Sequence, residues 1–263
     1  MPSALAIFCH PDDIEFVAAG TLLRLRAVGW DIHYLNVASG NLGTSSMPPD
    51  EARAVRRREA QQAAEILGAC WHEGLCDDME VVYSVPLVRR LTAIIRDVAP
   101  TILLTHAPVD YMEDHMATAR LAVTAAFARG MPNFTSHPEH AAIPDDVTVY
   151  HAQPHLNREP LGGLVRPTHF VDVTDVLPTK RAALAAHASQ QQWLDASQAM
   201  SSYVTTMEAL GREVGAMSGR FAHAEGWRRR LHAGYCAPEA DPLREALEPA
   251  GVLVVPDAME GPA

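Results

Sequence analysis

Disulfide-forming or zinc-knuckle chemistry has little to work with here. The 263-residue chain holds four cysteines, Cys9, Cys70, Cys76 and Cys236, and no two form a C-x-x-C pair. Neither a structural zinc knuckle nor a disulfide framework is expected, and a reducing cytoplasm is the compartment to expect. No apolar run approaches the ~20 residues that cross a bilayer, so no membrane partner is expected. No basic segment precedes the first apolar run, Met1 to Cys9, which reads as a strand and not as a signal peptide. Positive charge is scarce too: 21 Lys and Arg against 32 Asp and Glu leave a formal net charge of -11. Such a surface repels phosphate backbones, so no nucleic-acid partner is expected. No G-x-G-x-x-G follows the first strand, which leaves a nucleotide-binding Rossmann protein without support.

What is present is a core-building chain. Hydrophobic residues make up 48% and charged residues 20%, enough apolar matter for one large domain. Ala4 to Cys9 is a short apolar run, the signature of a buried parallel strand. Phe16 to Val28 has helical spacing, with Gly29 where a C-terminal glycine belongs. Asp31 to Ala38 reads as a strand, Pro49 to Leu67 as a long polar helix closed by Gly68. Val85 to Val98 reads as a helix, Pro100 to Thr105 as a strand, and Met116 to Arg129 as a helix. Strands alternating with helices predict an α/β fold: a Rossmann-like parallel sheet flanked by helices. A smaller, mixed C-terminal region follows, with strands at Val147 to Ala152 and His169 to Val173, and helices at Asp175 to Leu194 and Ser201 to Met217. The domain is expected over 1–236. The Pro-rich acidic stretch 237–263 is expected to be a peripheral tail.

Ligands of such sheets bind beyond the carboxyl ends of the strands. Two loops at that edge carry unusual chemistry. His10-Pro11-Asp12-Asp13 follows the first strand, and His106-Ala107-Pro108-Val109-Asp110-Tyr111-Met112-Glu113-Asp114-His115 follows the strand ending near Thr105. Together they supply imidazole and carboxylate, ligands suited to zinc and other borderline divalent ions. Each loop has a plainer reading. Pro and Asp form turns and Asp caps helices, so His10 to Asp13 can be a turn and Asp114 an N-cap. Cys9 reads as a small apolar residue ending a buried strand rather than as a nucleophile.

In order along the chain these segments resemble the PIG-L/LmbE-like deacetylases, zinc enzymes that act on N-acetylglucosaminyl conjugates and related amides. His10-Pro11-Asp12-Asp13 is similar to the family's first motif. Ser39-Gly40-Asn41-Leu42-Gly43 resembles its glycine-rich loop, and Arg56-Arg57-Arg58-Glu59 its R-x-x-E helix. Pro108 to His115 resembles the second metal motif. Lys180 through His187 to Gln190, and Gly219 through Trp227, resemble later signatures. The resemblance implies one Zn2+ per chain, held by His10, Asp13 and His115, with Asp12 as general base. It implies that Asp114 is the carboxylate partner of a ligand imidazole. Arg56 matches a family arginine near substrate, its other reading being a solvated helix face. His187 matches a histidine facing the site, its other reading being a half-buried helix residue. His137, His140, His151, His155 and His169 are too scattered to assign.

One position departs from the family pattern. Members carry a histidine three residues before the last ligand, where this chain has Met112. On this reading Asp12 also carries the proton to the leaving nitrogen, while His187 stabilises the oxyanion or positions substrate. Tyr111, a substrate contact, and Glu113 are the next proton donors in line. The expected partner is a small N-acylated molecule, and a homo-oligomer is left undecided. The rival readings are a metal-dependent hydrolase of another bond, such as an ester, and a binding protein that kept the ligands but lost catalysis.

Overall fold

The computed structural model describes residues 1–191, 193 and 203–256. Its strands are β1 (Ser3–Phe8), β2 (Asp31–Asn36), β3 (Cys70–His72), β4 (Ile102–Thr105), β5 (Thr148–Ala152), β6 (His169–Asp172), β7 (Ala224–Arg229) and β8 (Leu253–Val254). They form one sheet in the order β3-β2-β1-β4-β5-β7-β6-β8. The first five are parallel, and β7, β6 and β8 extend the sheet antiparallel. This is the α/β architecture the alternation predicts; of the two strands expected in the mixed C-terminal region, β5 joins the parallel part and β6 the antiparallel part.

Alternation along β1 shows why the strand is apolar on both faces. Ala4, Ala6 and Phe8 join one core cluster with Leu22, Ala63 and Leu67. Leu5, Ile7 and Cys9 join a second, with Leu91, Ile95 and Leu121. The described α-helices are α1 (Asp13–Val17), α2 (Ala19–Ala27), α3 (Pro49–Leu67), α4 (Val85–Val98) and α5 (Glu113–Ala128), then α6 (Leu177–Ala185), α7 (Tyr203–Ser218) and α8 (Pro242–Leu247). The bounds of α3 and α4 match the sequence reading. Gly68 closes α3 at φ 70, where a side chain would be strained. No described helix is long and apolar enough to cross a membrane.

Four expectations need correcting. The helix expected from Phe16 is two helices broken at Ala18, whose φ of -135 is not helical. Helix α5 starts at Glu113, three residues before the expected Met116, so Asp114 lies in its first turn and Met112 stands at the N-cap position. The helix expected from Asp175 to Leu194 begins at Leu177 and is interrupted at 186–187 before helix resumes at 188–191; Leu194, like Ser201, lies outside the described residues. The tail is not peripheral as far as residue 256. Leu243, Leu247 and Leu253 are buried in the main core, and β8 pairs with β6. Apolar residues at helical spacing between the prolines carry it inward.

Candidate metal centre and active site

Strands β1 and β4 lie side by side at the point where strand order reverses, and their carboxyl ends open a crevice there. The two motif loops fill it. His10 O accepts from Asn36 Nδ2 at 2.6 Å, and His10 N donates to Asp13 Oδ2 at 2.6 Å, which folds the first loop tightly. Asp12 is forced to φ 112, a left-handed conformation that costs a non-glycine residue about 1–3 kcal/mol. The strain turns its carboxyl into the crevice beside Asp13 without removing it from the protein's hold.

His10, Asp13 and His115 converge, with one donor atom from each within 4.8 Å of the others. Asp13 sits between the imidazoles: Oδ2 is 3.5 Å from His10 Nδ1 and Oδ1 is 3.4 Å from His115 Nε2. Each imidazole has its far nitrogen on a second carboxylate. His10 Nε2 is 3.3 Å from Asp114 Oδ2, and His115 Nδ1 is 3.1 Å from Asp110 Oδ1. Outer carboxylates of this kind fix ring orientation and raise the basicity of the inner nitrogen. Two imidazoles and one carboxylate, so backed, fit zinc or a similar divalent ion. Asp114 faces the ring of His10 and not that of its neighbour His115. Asp110, unassigned from sequence, takes the other.

Charge in the cluster is held by mutual contact. Burial opposes the ionisation of Asp13, but His115 and His106 outweigh it and hold its pKa well below the usual carboxylate range. Burial likewise opposes the charge on His115, but Asp13 and Asp110 lift its pKa to about 9. His106 stacks on His115 with ring centroids 4.1 Å apart, and its Nε2 accepts the Cys9 N–H at 2.9 Å. Burial and the neighbouring His115 lower its pKa to about 4, so it is a neutral platform under the ligand ring.

Asp12 stands apart from these contacts. Its Oδ2 accepts from the Tyr203 hydroxyl and lies 3.4 Å from Arg56 Nη2. Burial raises its pKa, and Arg56 offsets this only in part. A carboxylate made more basic by desolvation beside a candidate metal site is suited to proton abstraction. Arg56 is not on a solvated face. It is 2% exposed, and its Nη2 also donates to the Pro11 carbonyl. Its Nε and Nη1 have no hydrogen-bond partner among the described residues.

The crevice has a volume of about 410 Å³, and its walls include His10, Asp12, Asp13, His115, Arg56 and Tyr111. Such a volume suits a small molecule. Met112 and His155 also line it. His155 comes from the turn after β5, and its ring lies 5.1 Å from that of Tyr111. Tyr111 itself is exposed.

His187 is corrected. It is fully buried, does not line the crevice, and has Nε2 3.4 Å from Glu15 Oε2 behind the site. Helix α6 ends at Ala185, and the break at 186–187 turns the ring inward against α1. The other late motifs are also structural. Glu225 accepts from Gly20 N at 2.8 Å, Thr21 N at 2.7 Å and Thr21 Oγ1 at 2.6 Å, and pairs with the buried Lys180. Glu59 accepts from Ser189 N and Oγ, tying α3 to the helical stretch after His187.

Residues 5–126 match the model of the PIG-L family, described as GlcNAc-PI de-N-acetylase. The PIG-L match contains both motif loops and every residue of the candidate metal set. The chain is 29% identical over 196 residues to the diacetylchitobiose deacetylase of Thermococcus kodakarensis, covering 71% of this chain and 69% of that one. It is 28% identical over 197 residues to the 4-oxalmesaconate hydratase of Pseudomonas putida, covering 72% and 74%. The solved N,N'-diacetylchitobiose deacetylase of Pyrococcus horikoshii superposes with a TM-score of 0.74 at 24% identity, over 92% of this chain and 88% of that one. That structural likeness concerns the fold.

Proposed function

We propose that the chain is a zinc-dependent N-deacetylase that removes an acetyl or similar acyl group from a small N-acylated sugar or related amide. The observation that carries this reading is the convergence of His10, Asp13 and His115 beside a buried Asp12 of raised pKa in one small-molecule crevice. The deacetylase relatives support the choice of bond. The hydratase relative marks the alternative, since one fold can host different chemistries.

His10, Asp13 and His115 would hold the zinc, whose Lewis acidity would polarise an acyl oxygen and make a nearby water more acidic. Asp12 takes the proton from that water as it attacks the acyl carbon. Tyr203 and Arg56 keep Oδ2 of Asp12 fixed during this transfer. Asp12, now protonated, hands the proton to the nitrogen, because an amide anion is too basic to leave near neutral pH. Met112 can supply no proton at its position. Tyr111 and His155 each line the crevice with an O–H or N–H to offer the developing oxyanion. Arg56, with two donor nitrogens unpartnered among the described residues, is the group to engage oxygen atoms of the substrate.

The test is a panel of N-acetyl amino sugars and simple N-acyl amines, assayed for free amine with and without a chelator, beside unsaturated dicarboxylic acids assayed for hydration. Chelator-sensitive amine release is expected. Hydration with no amine release from any member would replace the deacetylase with a hydratase.

A further inference from the structure

A second cluster of metal-binding side chains lies at the outer edge of the sheet, away from the crevice. Strand β3 is the edge strand and pairs in parallel with β2, Cys70 opposite His33 and His72 opposite Leu35. Side chains two residues apart share a face of a strand. Cys70 and His72 therefore project on the same side, and His33 joins them from β2. Leu35 marks this as the α4 side of the sheet, while Trp71 packs against the opposite core.

His33 Nδ1 lies 3.0 Å from His72 Nε2, and a donor atom from each of His33, Cys70 and His72 lies within 4.8 Å of the others. A tetrahedral zinc ion with Zn–N bonds near 2.0–2.1 Å holds its nitrogens about 3.3 Å apart. The pair thus needs only a few tenths of an ångström of adjustment to share an ion. The negative charge of Asp97 acts on both rings from α4. None of the three residues lines the catalytic crevice.

We propose that His33, Cys70 and His72 form a second, structural site for zinc or a similar divalent cation, which clips edge strand β3 to β2. The fourth ligand is water or a carboxylate such as Asp97. On binding, the Cys70 thiol loses its proton to solvent as the metal–sulfur bond forms. A clip at this place suits the fold, because β3 spans only Cys70–His72 and an edge strand is where unwanted pairing begins. The proposal does not depend on the catalytic reading.

The full-length, metal-free protein is titrated with Co2+ in four forms: unaltered, Cys70→Ser, His72→Ala and His115→Ala. Unaltered protein is expected to bind two equivalents and to show thiolate-to-cobalt charge-transfer absorption. Cys70→Ser and His72→Ala should each lose one equivalent, Cys70→Ser should lose the absorption and keep full turnover, and His115→Ala should retain the absorption. A single equivalent without thiolate absorption overturns the proposal. So does absorption that survives Cys70→Ser, which would place the thiolate at Cys9. As an independent reading, Zn2+ should slow alkylation of the exposed Cys70 at least tenfold; an unchanged rate overturns the site.

Discussion

Two buried polar clusters, built on opposite logic, sit within this molecule. Around Glu225 donors and acceptors match: two backbone N–H groups, the Thr21 hydroxyl and Lys180 surround one carboxylate, and Thr21 Oγ1 in turn accepts from Trp227 Nε1 at 2.9 Å. Around Asp13 they do not. Two carboxylates stand side by side, one has a raised and the other a lowered pKa, Asp12 is left-handed, and Arg56 keeps two nitrogens unpartnered among the described residues. A satisfied network stabilises and specifies the fold, whereas groups held against their preference mark a site waiting for a ligand. Both clusters came from stretches with family resemblance, and only this contrast tells which of them is chemical.

The contrast breaks most sharply under His115→Ala. Metal analysis of this variant should show the catalytic zinc gone and amine release abolished, with folding largely intact; full zinc occupancy of the crevice would dissolve the ligand set. Glu225→Gln should do the reverse. It leaves the Lys180 charge buried without its counter-ion, at a cost of about 3–5 kcal/mol in denaturant unfolding, while the folded fraction keeps its zinc and its rate per molecule. A change in kcat larger than the change in stability would move Glu225 into the site. A smaller effect sharpens the comparison. In the metal-free protein the raised pKa of His115, about 9, means its proton must leave when zinc binds. His10 is raised as well: burial opposes its charge, but Cys9, Asp114 and Asp13 outweigh it. Zinc affinity measured by competition should therefore climb roughly tenfold per pH unit from pH 7 toward 9 as the His115 proton is displaced, and more steeply if His10 gives one up as well. A flat profile would mean that the ligands are already free of protons.

Much of this was legible in the sequence because it is local. Gly68 and the prolines near Pro49 bound α3, the apolar run fixes β1, and His10-Pro11-Asp12-Asp13 packs its chemistry into four residues. The missing parts are non-local. Tyr203 reaches Asp12 across 191 positions, and His155 reaches the crevice only when β5 docks beside β4. No pattern of spacing reports such meetings. His187 misled for the same reason: its neighbours resemble a site signature, but the break after Ala185 points it at Glu15. The segment from residue 237 looked peripheral because its prolines and acids outweigh, by count, the three leucines that anchor it.

The adjacent aspartates carry the central claim, and one experiment separates them. Asp12→Asn and Asp13→Asn are made in parallel, reconstituted with zinc, and measured for catalytic zinc content and for kcat on a substrate that releases amine. Asp12→Asn should keep its zinc and lose roughly 10²–10⁴-fold in rate, the usual worth of a general base. Asp13→Asn should lose the metal itself. Exchange of the two phenotypes, or zinc and near-normal turnover retained in both, would contradict the account.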